Sequence, residues 1–141
     1  MAEINIKRIK GDFGFEAKDS NGHSITMDAN PEIGGVDFGV RPMQVLLIGL
    51  GGCSGIDIVM ILKKQRQVVK DFSMKIEGER ENGKEPSLWK NITIVFELTG
   101  EIEKDKAERA CELSMQKYCS VAETLRKSGT SLTWKVKVNG Q

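Results

Sequence analysis

The alternation of apolar and polar residues predicts three short strands at the start of the chain. The three stretches are Ile4 to Ile9, Phe13 to Ala17 and His23 to Asp28. Asn21-Gly22, between the second and third, is a strong hairpin signal because Asn and Gly tolerate the positive φ of tight turns. We therefore expect the chain to open with a three-stranded antiparallel meander.

The longest apolar stretch, Met43 to Gln65, predicts a central helix that runs to about Arg66. Pro42 suits its first turn, where the missing N–H costs nothing. The stretch contains four glycines: Gly49, Gly51, Gly52 and Gly55. Each costs roughly 0.8–1 kcal/mol relative to alanine inside a helix. We therefore expect another helix, a partner subunit or a substrate to approach this surface closely.

The rest of the chain predicts a second hairpin, a second helix and a last strand. The strands are Phe72 to Arg80, Trp89 to Leu98 and Ser131 to Val138, and the helix is Asp105 to Lys127. Apolar residues recur in that helix at spacings of three and four, as in an amphipathic helix. The order βββ-α-ββ-α-β predicts an α+β fold with two long helices on antiparallel sheets. We expect one domain, residues 1–141.

Composition excludes some classes of function. The net charge is +1, from 21 basic and 20 acidic residues, so the charge balance gives no reason to expect binding to nucleic acid or to an anionic membrane surface. The apolar run from Val45 to Leu62 has about 18 residues, the lower limit for a membrane span, but Asp57 and the glycines interrupt it. The N-terminal sequence has no apolar signal region. We therefore expect a cytoplasmic protein without membrane contact.

Three cysteines carry the candidate chemistry. Cys111 lies in the apolar stripe of the second helix and is expected to act as a small buried hydrophobe. Cys119 lies at the margin of that stripe. Cys53 lies among the glycines, where open surroundings suit a thiol that receives a ligand, although Asp57, one turn away, would oppose thiolate formation.

The spacing of the cysteines bears on disulfides and metals. An odd number of cysteines without a secretory signal argues against a structural disulfide framework, so any disulfide would be catalytic or redox-sensing. The single histidine, His23, and three scattered cysteines lack the spacing of a metal site. We therefore expect no metal.

Two segments resemble the signatures of the OsmC/Ohr family, the osmotically inducible and organic hydroperoxide resistance proteins. The first is Arg41 to Leu47 (RPMQVLL) followed by Leu50 to Ile58 (LGGCSGIDI), and the second is Lys117 to Leu125 (KYCSVAETL). They occur in the family's order and are separated by the second predicted hairpin. The predicted order of strands and helices also matches, and the sequence is most similar to the uncharacterised OsmC-like branch.

This resemblance implies an OsmC-like fold in an intertwined homodimer whose central helices pack in the middle. It implies thiol-dependent reduction of organic hydroperoxides or hydrogen peroxide without a metal or organic cofactor. Cys53 would be the peroxidatic cysteine, oxidised to sulfenic acid, and Cys119 the resolving cysteine. An external dithiol would restore both thiols.

The chain departs from the peroxidase pattern where the thiol is activated. Peroxidase members carry an acidic residue just after the helix-start proline, where this chain has Met43 and Gln44. They also use an arginine from the N-terminal strands, for which Arg8 and Arg41 are candidates. Two alternatives therefore stay open: a dimeric protein that binds a small apolar or acyl ligand, and a redox sensor that switches through a Cys53–Cys119 disulfide.

Overall fold

The computed structural model describes all 141 residues. The chain divides into two compact units, Met1–Leu46 and Leu47–Gln141. The expectation of one domain over residues 1–141 stays a prediction.

The first unit contains the predicted antiparallel meander. Its strands are β1 (Ile4–Lys10), β2 (Gly14–Asp19) and β3 (Ser24–Met27), paired in that order. The predicted turn between β2 and β3 is held by Asp19, whose carboxylate accepts the backbone N–H groups of Asn21 and His23, each at 2.9 Å. The side chain of a turn residue thus closes the hairpin.

A buried carboxylate organises the loop that follows β3. The side chain of Asp28 accepts backbone N–H groups from Ala29, Val36 and Phe38. These hydrogen bonds hold the pKa of Asp28 below its ordinary value, the bond from Val36 contributing most, although burial of the carboxylate opposes the shift. The loop includes one short 3-10 helix, Pro31–Ile33, and leads to the central helix.

The central helix, α1, spans Pro42–Lys64. At its start, the backbone N–H of Arg41 donates to the Gln44 side-chain oxygen at 3.0 Å. Gln44 is the third residue of the helix, and Arg41 is the residue just before it. This hydrogen bond is one half of a capping box, and it satisfies the Arg41 N–H, which has no partner within the helix. The helix ends two residues earlier than predicted because Arg66 adopts a left-handed conformation, with φ of 60°.

Helix α1 is long and apolar enough to meet the length and composition criteria for a membrane span. Its most apolar window has a mean hydropathy of 2.2, and 28% of that window is buried. A core helix of a soluble protein meets the same criteria, so one such helix is weak evidence. The absence of membrane contact stays a prediction.

The second unit contains the other sheet: β4 (Val68–Arg80), β5 (Trp89–Glu101) and β6 (Ser131–Val138). Strands β4 and β5 form the predicted hairpin, although both are longer than predicted. The expectation of antiparallel pairing throughout is wrong for β6, which pairs with β5 in parallel. A helical crossover separates these two strands, and such a connection returns the chain in the direction that parallel pairing needs.

Helix α1 packs against side chains of β4. A Cβ at Gly51 would lie 2.9 Å from Ile76 Cδ1, and one at Gly55 would lie 3.2 Å from Met74 Cε. Two of the four glycines therefore let the helix approach the sheet closely. The fully buried core residues of the sheet include Ile92, Ile94 and Phe96 on β5, and those of α1 include Leu50, Ile58 and Leu62.

The predicted second helix, Asp105 to Lys127, is broken into three parts. Helix α2 spans Lys104–Leu113, a π-helical turn spans Ser114–Tyr118, and α3 spans Ser120–Lys127. The prediction of one continuous helix is wrong because Cys119 takes an extended conformation, with φ −73° and ψ 108°. Its Sγ accepts the N–H of Ala122 at 3.4 Å and so caps the start of α3.

Candidate thiol site

Three potential anions meet in the second unit. The Sγ atoms of Cys53 and Cys119 and a carboxylate oxygen of Asp57 all lie within 4.8 Å of one another. Cys53 is partly exposed, whereas only 2% of Cys119 is exposed. Folding thus brings together two thiols that lie far apart along the chain.

Local structure explains why these side chains converge. Cys53 and Asp57 are four residues apart on α1 and therefore share one side of the helix. Ser114, in the π-helical turn, donates its hydroxyl to Asp57 Oδ2 at 3.0 Å. The same hydroxyl lies 3.4 Å from the backbone oxygen of Ser54. These hydrogen bonds join the π-helical turn to α1, and the break at Cys119 follows directly after it.

The environment of Cys119 favours the neutral thiol. Burial raises its pKa to about 11, while the N–H of Ala122 opposes this shift and the neighbouring Cys53 side chain adds to it. A thiol in apolar surroundings loses the solvation that its anion needs. Cys119 is therefore protonated at neutral pH in the reduced protein.

Cys111 stands apart from this cluster. It is fully buried in α2, and burial raises its pKa to about 12. This confirms the interpretation of Cys111 as a small buried hydrophobe. It also makes Cys111 a matched control, because it is a thiol of the same unit outside the cluster.

An open cleft of about 490 Å³ borders the cluster at Asp57. Its apolar walls come from Met60, Ile61, Leu113 and Tyr118, and Lys64 and Gln65 supply polar groups. The cleft lies along the second half of α1 and the end of α2. A mainly apolar cleft beside a reactive group suits a small organic ligand.

The three remaining candidate residues lie in the first unit. Arg8 is an exposed residue of β1, opposite Phe15. Arg41 donates a guanidinium N–H to the Gly39 backbone oxygen at 3.0 Å, and Gln44 caps α1. Their assignment to the activation or binding of substrate at the thiols stays a prediction.

Sequence reasoning missed the role of Ser114 and treated Asp57 only as a charge that would oppose a thiolate. One signal was present, because Asp57 is the single charge between Val45 and Leu62 and follows Cys53 at helical spacing. The break at Cys119 also had a signal. Ser120-Val121-Ala122-Glu123 has the S-x-x-E pattern of a helix start, one residue beyond the observed cap.

Comparison with known proteins identifies the family. A family model described as OsmC-like protein matches residues 34–135. The chain belongs to the OsmC-like family. Protein YhfA of Escherichia coli (strain K12) is 40% identical over 127 residues, which cover 89% of this chain and 90% of that protein. Membership confirms the resemblance seen in the two signatures and suggests a redox or peroxidase function.

Solved structures of OsmC-like and related proteins have the same fold. A hypothetical protein from Aquifex aeolicus VF5 matches with a TM-score of 0.80 and 34% identity, over 99% of this chain and 98% of that one. An organic hydroperoxide resistance protein OsmC from Legionella pneumophila matches with a TM-score of 0.74 over 97% and 96% of the two chains. At 16% identity, this second match bears on the fold alone. The α+β OsmC-like fold class is thereby confirmed.

Proposed function

We propose that this protein is a thiol-dependent peroxidase that reduces organic hydroperoxides or hydrogen peroxide, with Cys53 as the peroxidatic and Cys119 as the resolving cysteine. The observation that carries the proposal is the convergence of the two sulfurs, which lie within 4.8 Å of each other. Cys53 is the more exposed of the two, and it is therefore the thiol that peroxide reaches first.

The reaction has three steps. The Cys53 thiolate attacks one peroxide oxygen and the O–O bond breaks, so that Cys53 becomes a sulfenic acid. The expelled alkoxide or hydroxide takes up a proton from solvent and leaves as an alcohol or water. The Cys119 sulfur then attacks the Cys53 sulfur, water leaves, and a disulfide forms. An external dithiol reduces this disulfide and takes up the oxidising equivalents. Neither a metal nor an organic cofactor takes part.

Disulfide formation requires a local movement. The sulfurs must approach from within 4.8 Å to the bonded distance of about 2.05 Å. Cys119 lies between the π-helical turn and α3, and its extended conformation interrupts the helix at this point. A small rotation at this junction is easier than bending an intact helix. The break in the second helix therefore supports the resolving role of Cys119.

The apolar cleft supports an organic hydroperoxide as substrate. Its walls offer Met60, Leu113 and Tyr118 to a hydrocarbon tail, and its edge at Asp57 borders the thiols. A carboxylate near two sulfurs disfavours a thiolate. The proposal therefore includes a compensating cation, for which Arg8 and Arg41 are the candidates.

The open face of α1 supports the homodimer. A Cβ at Gly49 or Gly52 would meet no atom within 4 Å. Beside these glycines, Ile48 is 52% exposed and Ile56 is 65% exposed. Small residues flanked by apolar ones let the backbones of two helices approach closely, so a second copy of α1 fits this face. The proposal further assigns the protein to the cytoplasm and to the oxidative stress response.

A second candidate is a dimeric protein that binds a small ligand or senses redox state without turnover. The observation that favours it is Gln44, which stands where peroxidase members are expected to carry a carboxylate and which serves here as a helix cap. In that case the cleft holds an apolar ligand and the thiols take no part in turnover, or the disulfide changes partner binding.

Peroxide consumption with dithiothreitol as reductant distinguishes these functions. We expect Cys53→Ser to abolish turnover and Cys111→Ala to retain it. In Cys119→Ser, the Cys53 sulfenic acid should accumulate and be labelled by dimedone. Equal peroxide consumption by the wild type and Cys53→Ser would contradict the peroxidase proposal. A ligand retained in native mass spectrometry, without turnover, would favour the binding protein.

A further inference from the structure

The Cys53–Asp57–Cys119 cluster joins two soft sulfur ligands and one hard oxygen ligand at a single point. We propose that these three side chains bind one Zn²⁺ ion, with the fourth coordination position open to the cleft beside Asp57. This inference concerns the reduced protein and does not depend on peroxidase activity. It departs from the expectation of no metal, which was based on spacing along the chain rather than on the fold.

The donor set suits zinc better than other common divalent ions. Zn²⁺ accepts thiolate and carboxylate ligands together in tetrahedral sites, whereas Mg²⁺ and Ca²⁺ prefer oxygen ligands alone. Zinc sites with three protein ligands keep their fourth position for water or substrate. An open site of this kind matches the partial exposure of Cys53 and of Asp57, the member of the cluster that lines the cleft.

The distances are close to those that zinc requires. With Zn–S bonds of about 2.3 Å, two sulfur ligands of a tetrahedral ion lie about 3.8 Å apart. A sulfur and an oxygen ligand of the same ion lie about 3.5 Å apart. The ligand atoms of the cluster lie within 4.8 Å of one another, so closure of at most about 1.3 Å completes the geometry. Cys119, at the junction of the π-helical turn and α3, is the ligand that can move.

The hydrogen bonds around the cluster are those that support metal ligands. Ser114 donates to Asp57 Oδ2 at 3.0 Å and so fixes the orientation of the carboxylate. The Ala122 N–H donates to Cys119 Sγ at 3.4 Å, and a backbone donor at a helix start stabilises a thiolate. Two of the three ligands thus have an outer hydrogen-bond partner in the second unit.

Binding is an exchange of ions without oxidation. Two Zn–S bonds form as the two S–H bonds break, and the two protons pass to solvent. The cation offsets the mutual repulsion that the two thiolates and the carboxylate would otherwise have. Because the same two sulfurs would react with peroxide, the zinc-bound form should resist oxidation at both cysteines.

Cobalt is the probe for this site, because Co²⁺ occupies zinc sites and absorbs light when thiolates ligate it. We would titrate reduced, metal-free, untagged protein with Co²⁺ under anaerobic conditions, and then add Zn²⁺. The expected result is a thiolate-to-cobalt charge-transfer band and the visible bands of a tetrahedral ion, saturating at one equivalent and lost on addition of zinc. Binding should also release two protons to solvent for each bound ion.

Variants locate the site. Cys53→Ser and Cys119→Ser should each lose the saturable charge-transfer band, and Asp57→Asn should weaken binding. Ser114→Ala should weaken binding about tenfold, as for other outer partners of metal ligands. Cys111→Ala is the matched control, because Cys111 is a buried thiol outside the cluster, and it should bind like the wild type. Circular dichroism checks that each variant is folded.

Two results would overturn the zinc proposal. One is the absence of a saturable charge-transfer band in the wild type, and the other is a band that persists in Cys53→Ser but is lost in Cys111→Ala. Because the titration contains no peroxide, its outcome is separate from that of the peroxidase assay. A wild type that binds cobalt but consumes no peroxide would contradict the proposed function alone.

Discussion

At the scale of single residues, Cys53 and Cys119 differ in what their surroundings allow. Cys53 is partly exposed on α1, whereas Cys119 is buried and its pKa is raised to about 11. A buried thiol at a helix break suits a residue that acts second, after its partner has been oxidised. The predicted catalytic pair thus consists of one accessible and one protected sulfur.

This difference predicts how disulfide formation depends on pH. Because the pKa of Cys119 is raised to about 11, its thiolate fraction grows about tenfold per pH unit across the range below that value. The conversion of Cys53 sulfenic acid to disulfide should therefore accelerate as pH rises from about 7 to 9. Stopped-flow measurement after one equivalent of peroxide checks this, with Cys119→Ser as the control that lacks the step. A rate independent of pH would contradict it.

At the scale of elements, the start of α1 shows a structural role for a residue that we also considered for the site. Gln44 accepts the backbone N–H of Arg41 and caps the helix, and the first turn contains no acidic residue. Gln44, in place of the carboxylate expected in peroxidases, therefore keeps the cap but places no negative charge at the positive end of the helix dipole.

Two substitutions at this position separate capping from charge. Gln44→Ala should lower the free energy of unfolding by about 0.5–1 kcal/mol, because a backbone donor loses its partner. Gln44→Glu should keep the cap and add about 0.3–1 kcal/mol from the helix dipole. Urea denaturation measures both changes. If Gln44→Ala is as stable as the wild type, the side-chain cap contributes nothing to stability.

At the scale of the whole molecule, the glycines of α1 fall into two groups. Gly51 and Gly55 face the side chains of β4, whereas Gly49 and Gly52 face open space. Contact within the second unit therefore explains half of the glycine pattern. The proposed homodimer accounts for the other half, because a second helix would cover Gly49, Gly52 and the exposed side chain of Ile56.

A charge on the open face should separate the proposed dimer. Ile56→Glu would place a carboxylate in an apolar helix contact, where it has no partner, and should shift the protein from dimer to monomer in analytical ultracentrifugation. Lys135→Glu, an exposed change on β6, is the control and should leave the oligomeric state unchanged. A wild type that sediments as a monomer would contradict the homodimer.

The sequence predicted the strands and α1 well because their apolar patterns are local. The direction of β6 was missed because pattern alone does not set the direction in which a crossover returns the chain. The break at Cys119 was missed because the apolar stripe continues on both sides of it. The hydrogen bond from Ser114 to Asp57 joins segments that are far apart in the sequence, and local patterns do not reveal such contacts. For the same reason, the proximity of Cys53 and Cys119 could be predicted from the sequence only through the family resemblance.

Mapping of the disulfide after oxidation decides whether Cys53 and Cys119 form a redox pair. Reduced protein would be treated with one equivalent of cumene hydroperoxide, alkylated, digested and analysed by mass spectrometry. We expect a disulfide between the Cys53 and Cys119 peptides, with Cys111 alkylated as a free thiol. Three free thiols after treatment, or a disulfide that includes Cys111, would contradict it.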